Sequence, residues 1–352
     1  MKSSYLRIVD KYIGTLLYLL CWSLKSRKNA SKGRHLLVIK LWAVGESVLL
    51  LPSLKNLHKK GYSITVLCTR QNKAAFERQP FIENIYLFDF NPFAALATIF
   101  SIRRKKFSAV IDAEPFTRFS AVVSVLSGAP ITVGFANRPL LYTKIANVNE
   151  NRHAVDIFNG LFSAIEPLER PAALVPVVTE HFPFKHRRKS LAIHAGSAST
   201  ARTRRWPEEK FALLCDYFSE KGWDIFLIGS KDEAEINHRI LALCKNKDHI
   251  KNMSGRLSLR QLAYLFSKTD LIIANDSGPM HIAAASGTPT IGLFGPNTPE
   301  RFGPFGEKCI GIRKDHMPPC ILPFRAKFPE CEHDHMKDLN TKDVIEAADK
   351  LC

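Results

Sequence analysis

Apolar residues fall in short runs along this chain, and most runs lead through a turn into a segment of helical periodicity. The runs His35 to Leu41, Tyr62 to Cys68, Asn84 to Phe88 and Ser108 to Asp112 predict strands. Between them lie a helix entered through Trp42-Ala43-Val44-Gly45-Glu46-Ser47 and running to about Lys60, a helix from Gln71 to Gln79 and another from Pro92 to Arg104. Gly61 serves as the stop of the first. The alternation resumes with strand Ser190 to Ile193, helix Pro207 to Lys221 and strand Asp224 to Ile228. In the segment Asn252 to Lys268, Ser258 and Gln261 form a capping-box pattern ahead of the apolar Leu262 to Phe266. Strand Asp270 to Ala274, a helix from about Met280 to Ser286 and strand Thr290 to Phe294 follow. Such alternation predicts parallel sheets covered by helices. The proline-rich stretch from Pro167 to Pro183 reads as a linker, dividing the chain into α/β domains at 35–175 and 185–335. A final amphipathic helix from about Thr341 to Leu351 occupies 340–352.

The segment 1–34 has a different pattern. Tyr5 to Leu24 is apolar between Lys2, Arg7 and Lys11 on one side and Lys25, Arg27 and Lys28 on the other. Its uninterrupted part, Ile13 to Leu24, is about half the length needed to span a bilayer. No small-residue cleavage site follows, which disfavours a signal peptide. A helix packed on the chain's own core stays open. The favoured reading is an interfacial helix, since Tyr18, Trp22 and flanking cations suit a headgroup region.

Composition changes the picture in two ways. With 352 residues, 46% hydrophobic and 24% charged, the chain is an ordinary globular one, but its formal charge of +17 calls for an anionic partner. Nucleic acid is disfavoured because the cations are dispersed and no base-reading motif accompanies them. The eight cysteines have no repeated spacing and mostly lie in apolar segments, which suggests free thiols in a reducing compartment. Cys320, Cys331, His333 and His335 match no common zinc spacing.

The chemistry concentrates between Asp270 and Gly306. Asn275-Asp276-Ser277-Gly278-Pro279 is a run of turn and cap formers at a helix start, where free N–H groups and the helix dipole favour anions, phosphates above all. A single Asp-Ser-Gly would do no more than cap a helix. The whole string, with Met280-His281 after it and Gly292-Leu293-Phe294-Gly295-Pro296 at the next strand end, resembles the donor-site signature of glycosyltransferase family 9, the bacterial lipopolysaccharide heptosyltransferases. That resemblance implies a GT-B fold, with two Rossmann-like domains of parallel sheet facing a central cleft.

The resemblance extends to other stretches. His194-Ala195-Gly196-Ser197 and the cationic loop before Trp206-Pro207 are similar to the family's diphosphate-contacting turn, with Arg204 where Lys is more usual; the guanidinium keeps the charge and adds bidentate geometry. A Gly-Asp pair in the first domain supplies the family's general base. Here the pair is Gly45-Glu46, a carboxylate on an arm one methylene longer. Glu233, after the strand end Gly229-Ser230, is placed to accept hydrogen bonds from ribose hydroxyls, with Glu235 close behind. Asp276 and His281 would orient donor hydroxyls or phosphate, and Ser197, Ser277 and Gly278 complete the donor set. Arg118, Lys144, Arg152 and His153 fall on loops and helix starts after the sheet strands, where an acceptor domain would hold an anionic substrate, Arg118 and Lys144 being the acceptor candidates. The run Arg103 to Lys106 is a solvated helix end that could also touch anionic lipid.

The implied activity is inverting, metal-independent transfer of a heptose from ADP-heptose to the inner core of lipopolysaccharide, without a cofactor, by an enzyme peripheral on the cytoplasmic side of the inner membrane. The C-terminal helix is expected to pack back on the first domain. Two alternatives remain: a family 9 enzyme using another nucleotide sugar or glycan acceptor, and a non-catalytic protein that binds nucleotide sugars or anionic glycolipids.

Overall fold

The computed structural model describes residues 10–21, 33–115, 117–137, 139–149, 151–184, 188–198, 200–314, 319–320 and 334–352. The chain divides into two compact units at Pro171 and Ala172, the second also taking in Asn151–His153.

In the first unit, β1 (His35–Ile39), β2 (Ser63–Cys68), β3 (Asn84–Leu87), β4 (Ala109–Asp112), β5 (Ile131–Phe135) and β6 (Lys144–Ala146) form one sheet in the order β3-β2-β1-β4-β5-β6. Every pairing is parallel. Leu36 to Ile39 are all buried, because helices cover both faces of such a sheet and an alternating pattern would leave polar groups inside.

The described part of the N-terminal segment begins with a π-helical turn, Asp10–Gly14, and continues as α1 (Thr15–Leu20). The predicted helix up to Lys60 is instead two helices, α2 (Val44–Leu49) and α3 (Leu51–Lys59). Pro52 sits in the first turn of α3, where its missing N–H costs nothing, but its ring would clash with a helical carbonyl four residues earlier, so α2 cannot run through. The predicted helix Gln71 to Gln79 shrinks to α4 (Lys73–Phe76). The chain then gives α5 (Pro92–Arg104), capped by the Asn91 side chain, α6 (Arg118–Leu126) and α7 (Ala154–Ser163).

The Asp10 carboxylate accepts hydrogen bonds from the N–H groups of Arg118 and Phe119, capping α6 from another segment. Leu17, Tyr18 and Cys21 pack with Ala121, Val122, Val125, Leu141 and Tyr142. This part of the N-terminal segment is therefore built into the first unit, while Tyr12, Leu16, Leu19 and Leu20 stay exposed. Trp22, Lys2, Arg7, Lys25, Arg27 and Lys28, on which the interfacial reading also drew, lie outside the described residues. No described helix is long and apolar enough to cross a membrane.

The second unit repeats the plan. Its strands are β7 (Ser190–His194), β8 (Asp224–Ile228), β9 (Ile250–Asn252), β10 (Leu271–Asn275), β11 (Thr290–Leu293) and β12 (Cys309–Ile312), in the parallel order β12-β11-β10-β7-β8-β9. Numbered within each unit, both sheets have the order 3-2-1-4-5-6, the arrangement of a dinucleotide-binding fold. The helices are α8 (Glu208–Glu220), α9 (Ala234–Leu243), α10 (Leu259–Phe266), α11 (Gly278–Ala285), α12 (Pro299–Phe302), α13 (His335–Asp338) and α14 (Thr341–Asp349). The Ser258–Gln261 capping box opens α10 as the spacing predicts. For α14 the resemblance implies a return to the first domain. The finding differs: Leu339, Val344, Ala347 and Ala348 are part of the second unit's own core, with Trp206, Phe211, Ile291 and Leu293.

Candidate active site

In a sheet of this order, ligands collect beyond the carboxyl ends of the strands where the direction of winding reverses. That point lies between β1 and β4 in the first unit and between β7 and β10 in the second. Chemistry-bearing side chains gather at both.

At the first, Lys40 follows β1 and Glu114 follows β4, and the adjacency of Ile39 and Asp112 in the sheet brings them together. The Lys40 ammonium, fully buried, donates to Glu46 Oε2 at 2.6 Å and to Glu114 Oε1 at 3.1 Å. Glu114 Oε1 also accepts from the N–H groups of Leu41 and Trp42, at 2.7 and 2.8 Å. Burial works to lower the pKa of Lys40, but Glu114 and Glu46 outweigh it and the net shift is upward. Burial pushes the Glu114 carboxyl up to about 7 against the pull of Lys40; Oε1 accepts its bonds whether or not the group carries a proton. Glu46 keeps 26% of its side chain exposed and is the only one of the three that solvent reaches appreciably. It stands in the first turn of α2, whose preceding residue, Ala43, has φ +63°, a left-handed conformation that a residue with a Cβ rarely adopts.

At the second, three side chains form a chain of contacts. His194, the last residue of β7, has Nδ1 3.0 Å from Ser277 Oγ and Nε2 3.4 Å from Glu233 Oε2. Glu233 Oε2 also accepts from Ser230 N–H and Oγ–H at 2.8 and 2.9 Å. Burial alone would raise the Glu233 pKa, but the bonds from His194 and Ser230 overcome it and hold the carboxyl down at about 2. The Glu233 side chain lies directly over Gly196, where any Cβ would collide with its carboxylate.

Asn275, wholly buried at the end of β10, ties the pieces together: its amide donates to Ala195 O at 2.8 Å and accepts from Trp206 N–H at 3.2 Å. Trp206 is anchored in turn by its indole N–H on Leu339 O at 2.9 Å. The cationic loop is thus fixed on both flanks. Arg204 Nη1 lies 3.1 Å from Asp276 Oδ2, and Asn297 donates to the same oxygen at 3.0 Å. Arg205 turns the other way, to Ser197 Oγ at 3.1 Å and Ser197 O at 3.0 Å, and so holds the loop's shape.

Ser277 is the N-cap residue of α11 with its hydroxyl on Asn275 O and His194, so its side chain does not cap the helix and no other side chain among the described residues does. His281 is buried, with Nδ1 lacking a hydrogen-bond partner among the described residues. Burial, then the nearby charges of His153 and Arg204, lower its pKa to about 3, so it is a neutral imidazole at physiological pH.

The family model "Glycosyltransferase family 9 (heptosyltransferase)" matches residues 96–321. The chain belongs to glycosyltransferase family 9. The match takes in the second switch point whole and begins after Glu46 and Lys40. Among curated relatives, the chain is 33% identical to "Lipopolysaccharide heptosyltransferase 2" of Escherichia coli over 112 residues, 31% of this chain and 32% of that protein. It is 26% identical to "Lipopolysaccharide core heptosyltransferase OpsX" of Haemophilus influenzae over 272 residues, 71% of this chain and 76% of that one. The first of these alignments spans only about a third of the relative's length. Among solved structures, E. coli ADP-heptose lipopolysaccharide heptosyltransferase II is similar at TM-score 0.75 and 20% identity, covering 91% of this chain and 98% of that one. That likeness carries the fold, GT-B with two Rossmann-like units.

Ser197, Arg204, Glu233, Asp276, Ser277, Gly278 and His281 lie around the second switch point. Of the acceptor candidates, Arg118 opens α6 beyond β4, at the same sheet edge as Glu114, with its guanidinium 3.9 Å from Asp10. Lys144 is a correction: it lies in the edge strand β6, exposed and off the switch point, rather than on a loop beyond the sheet. His153 contacts Gly303 O at 3.1 Å and belongs with the second unit. Cys320 Sγ is 3.2 Å from His335 Nε2, while Cys331 and His333 lie outside the described residues.

Residues that the motifs did not assign are Lys40, Glu114, His194, Asn275, Asn297 and Arg205. A lone lysine ending a buried strand, and a lone acid just past another, were the available signals for the first two.

Proposed function

We propose that this chain transfers a heptose from ADP-heptose to the inner core of lipopolysaccharide, inverting the anomeric centre and using no metal, while held peripherally at the cytoplasmic face of the inner membrane. Family membership and the names of its relatives support the sugar class and the acceptor. The observation that carries the reading is the second switch point, where an uncapped helix N-terminus and a guanidinium converge on one place suited to a diphosphate.

In this mechanism Glu46 takes the proton from the acceptor hydroxyl as its oxygen attacks the anomeric carbon, and the bond to the diphosphate breaks on the opposite face. Charge developing on the leaving diphosphate is met by Arg204, the Ser277 hydroxyl and the N–H groups from Gly278 onward. Asp276 and neutral His281 orient donor hydroxyls, and Glu233 accepts from the ribose. Arg118 offers a cation to the anionic acceptor. Membrane attachment draws on the exposed apolar side chains of the segment 10–21 and on the net charge of +17.

The test is to incubate the purified chain with ADP-heptose and an inner-core glycolipid lacking heptose, with GDP- and UDP-sugars in parallel. Release of ADP with a matching mass gain on the glycolipid, unaffected by a chelator, is the expected result. Donor binding without turnover on any acceptor would make the chain a binding protein. Turnover with a different nucleotide sugar alone would change the donor, and loss of activity on chelation would end the metal-free account.

A further inference from the structure

Helix α5 has an unusual outer face. No charged residue occurs between Asp89 and Arg103, so the helix carries no charge until its last turn. Its inward side is accounted for by Ile102, Ala95 and Ile99, which pack with Leu37, Val110 and Val123. Its outward side nevertheless presents Phe93, Leu96 and Phe100, which are 84%, 62% and 57% exposed. Their spacing of three and four residues puts them in one stripe. A water-facing stripe of large apolar side chains is not what a solvated surface helix carries.

The charge at the end of this stripe indicates what covers it. Arg103, Arg104, Lys105 and Lys106 are consecutive and exposed, and the Arg104 guanidinium lies 4.4 Å from the Phe100 ring centre. Apolar side chains continuous with a cluster of cations suit a surface with hydrocarbon below and phosphate above. A second apolar element lies close by. Both α1 and α5 pack on α6, and α1 exposes Leu16, Leu19 and Leu20. The stripe also begins near the reactive edge of the sheet, because Phe90, just before α5, stacks on Trp42 with ring centres 5.1 Å apart.

We infer that the face of α5 bearing Phe93, Leu96 and Phe100 is a membrane-docking surface, seated in the headgroup region of an anionic bilayer with Arg103 to Lys106 on lipid phosphates. The inference rests on the membrane placement proposed above and not on the sugar chemistry. Docking through this face would hold the sheet edge that carries Glu46 near the lipid surface, where the sugars of a membrane-borne acceptor lie.

The test is co-sedimentation of the full chain with vesicles of phosphatidylglycerol and phosphatidylethanolamine. The variant Phe93→Ser/Leu96→Ser/Phe100→Ser should bind at least about 10-fold more weakly than the parent, since three large apolar contacts are lost. Parental binding should weaken as salt rises. A variant that binds like its parent would overturn the inference, as would a loss confined to Leu16→Ser/Leu19→Ser/Leu20→Ser. Hydrogen exchange on the unsubstituted chain needs no variant: vesicles should protect the α5 amides, and unchanged exchange there would overturn the assignment. Light scattering that shows a parental dimer and a monomeric α5 variant, without vesicle binding by either, would assign the face to a second copy of the chain instead. Turnover of a water-soluble, deacylated acceptor separates the readings: weakened docking with intact turnover concerns this surface alone, and intact docking without turnover concerns the chemistry alone.

Discussion

Glu46 sits beside a lysine that already has another carboxylate to satisfy, and that sharing sets its chemistry. Lys40 donates to both Glu46 and Glu114, so neither carboxylate has the ammonium to itself. Glu114 takes part of that charge, and its own pKa near 7 means that it does so increasingly as the pH rises. Glu46→Gln should lower turnover by about 100- to 10,000-fold with donor affinity nearly unchanged, because an amide accepts no proton. A Gln variant turning over at the parental rate would place the base elsewhere. Glu114→Gln has its own expectation. Glu114, whose pKa is raised to about 7, is then no longer there to titrate, so an inflection of the kcat/KM profile near pH 7 should be lost while neutral-pH turnover falls modestly. A profile that stays in place would show that Glu114 only fills space. Glu46 stood out only through the resemblance, which pairs it with Gly45, since an acid in a helix's first turn is otherwise there for the dipole. The Lys40–Glu114 pair was not legible, because 74 residues separate the partners and only the sheet order makes them neighbours.

At the scale of elements, the caps and turns carried most of the information. The start of α11, the capping box of α10 and the whole extent of α5 follow from local chemistry that the chain cannot override cheaply. The short edge strands β6 and β9 were not legible, since three residues such as Lys144–Ala146 carry no period and pair only because a neighbour offers an edge. The break between α2 and α3 could have been read from Pro52.

The cationic loop before α8 shows the same limit. Charge alone does not distinguish Arg202, Arg204 and Arg205, and only the family resemblance singles out Arg204; in the structure Arg204 faces Asp276, Arg205 holds Ser197, and Arg202 is exposed. Arg204→Ala should therefore weaken nucleotide-sugar binding by about 1.5–3 kcal/mol, as for a lost charge-assisted contact. The proper control is Arg202→Ala, expected to change little. Arg205→Ala should also cost affinity, through loop disorder. Titration calorimetry on the three variants checks this, and equal losses at Arg202 and Arg204 would reduce the site to a general positive patch.

At the scale of the whole molecule, the segment 10–21 is both a piece of the first unit's core and an exposed apolar surface, so its removal has two separable consequences. Deleting Met1 to Lys28 takes the Asp10 carboxylate from the α6 N-terminus and Leu17, Tyr18 and Cys21 from the cluster on that helix. One cap is worth about 1 kcal/mol and each half-buried apolar side chain about as much again, so a loss of roughly 2–4 kcal/mol is expected, read as a lower urea midpoint. An unchanged midpoint would mean that the segment lies on the unit without supporting it. The same deletion removes six Lys and Arg against one Asp, and weaker vesicle binding would follow from charge alone. Salt separates the causes. If only charge is lost, parent and truncated chain should converge as ionic strength rises and the Debye length shrinks to a few ångström. If Leu16, Leu19 and Leu20 insert into the headgroup region, a gap in affinity should persist in high salt, because apolar burial is not screened. The truncated chain should still bind through α5, and adding the α5 substitutions to the truncation should abolish what remains. Complete loss on truncation alone, in a chain that keeps its fold, would leave α5 with no part in docking and the N-terminal segment as the whole anchor.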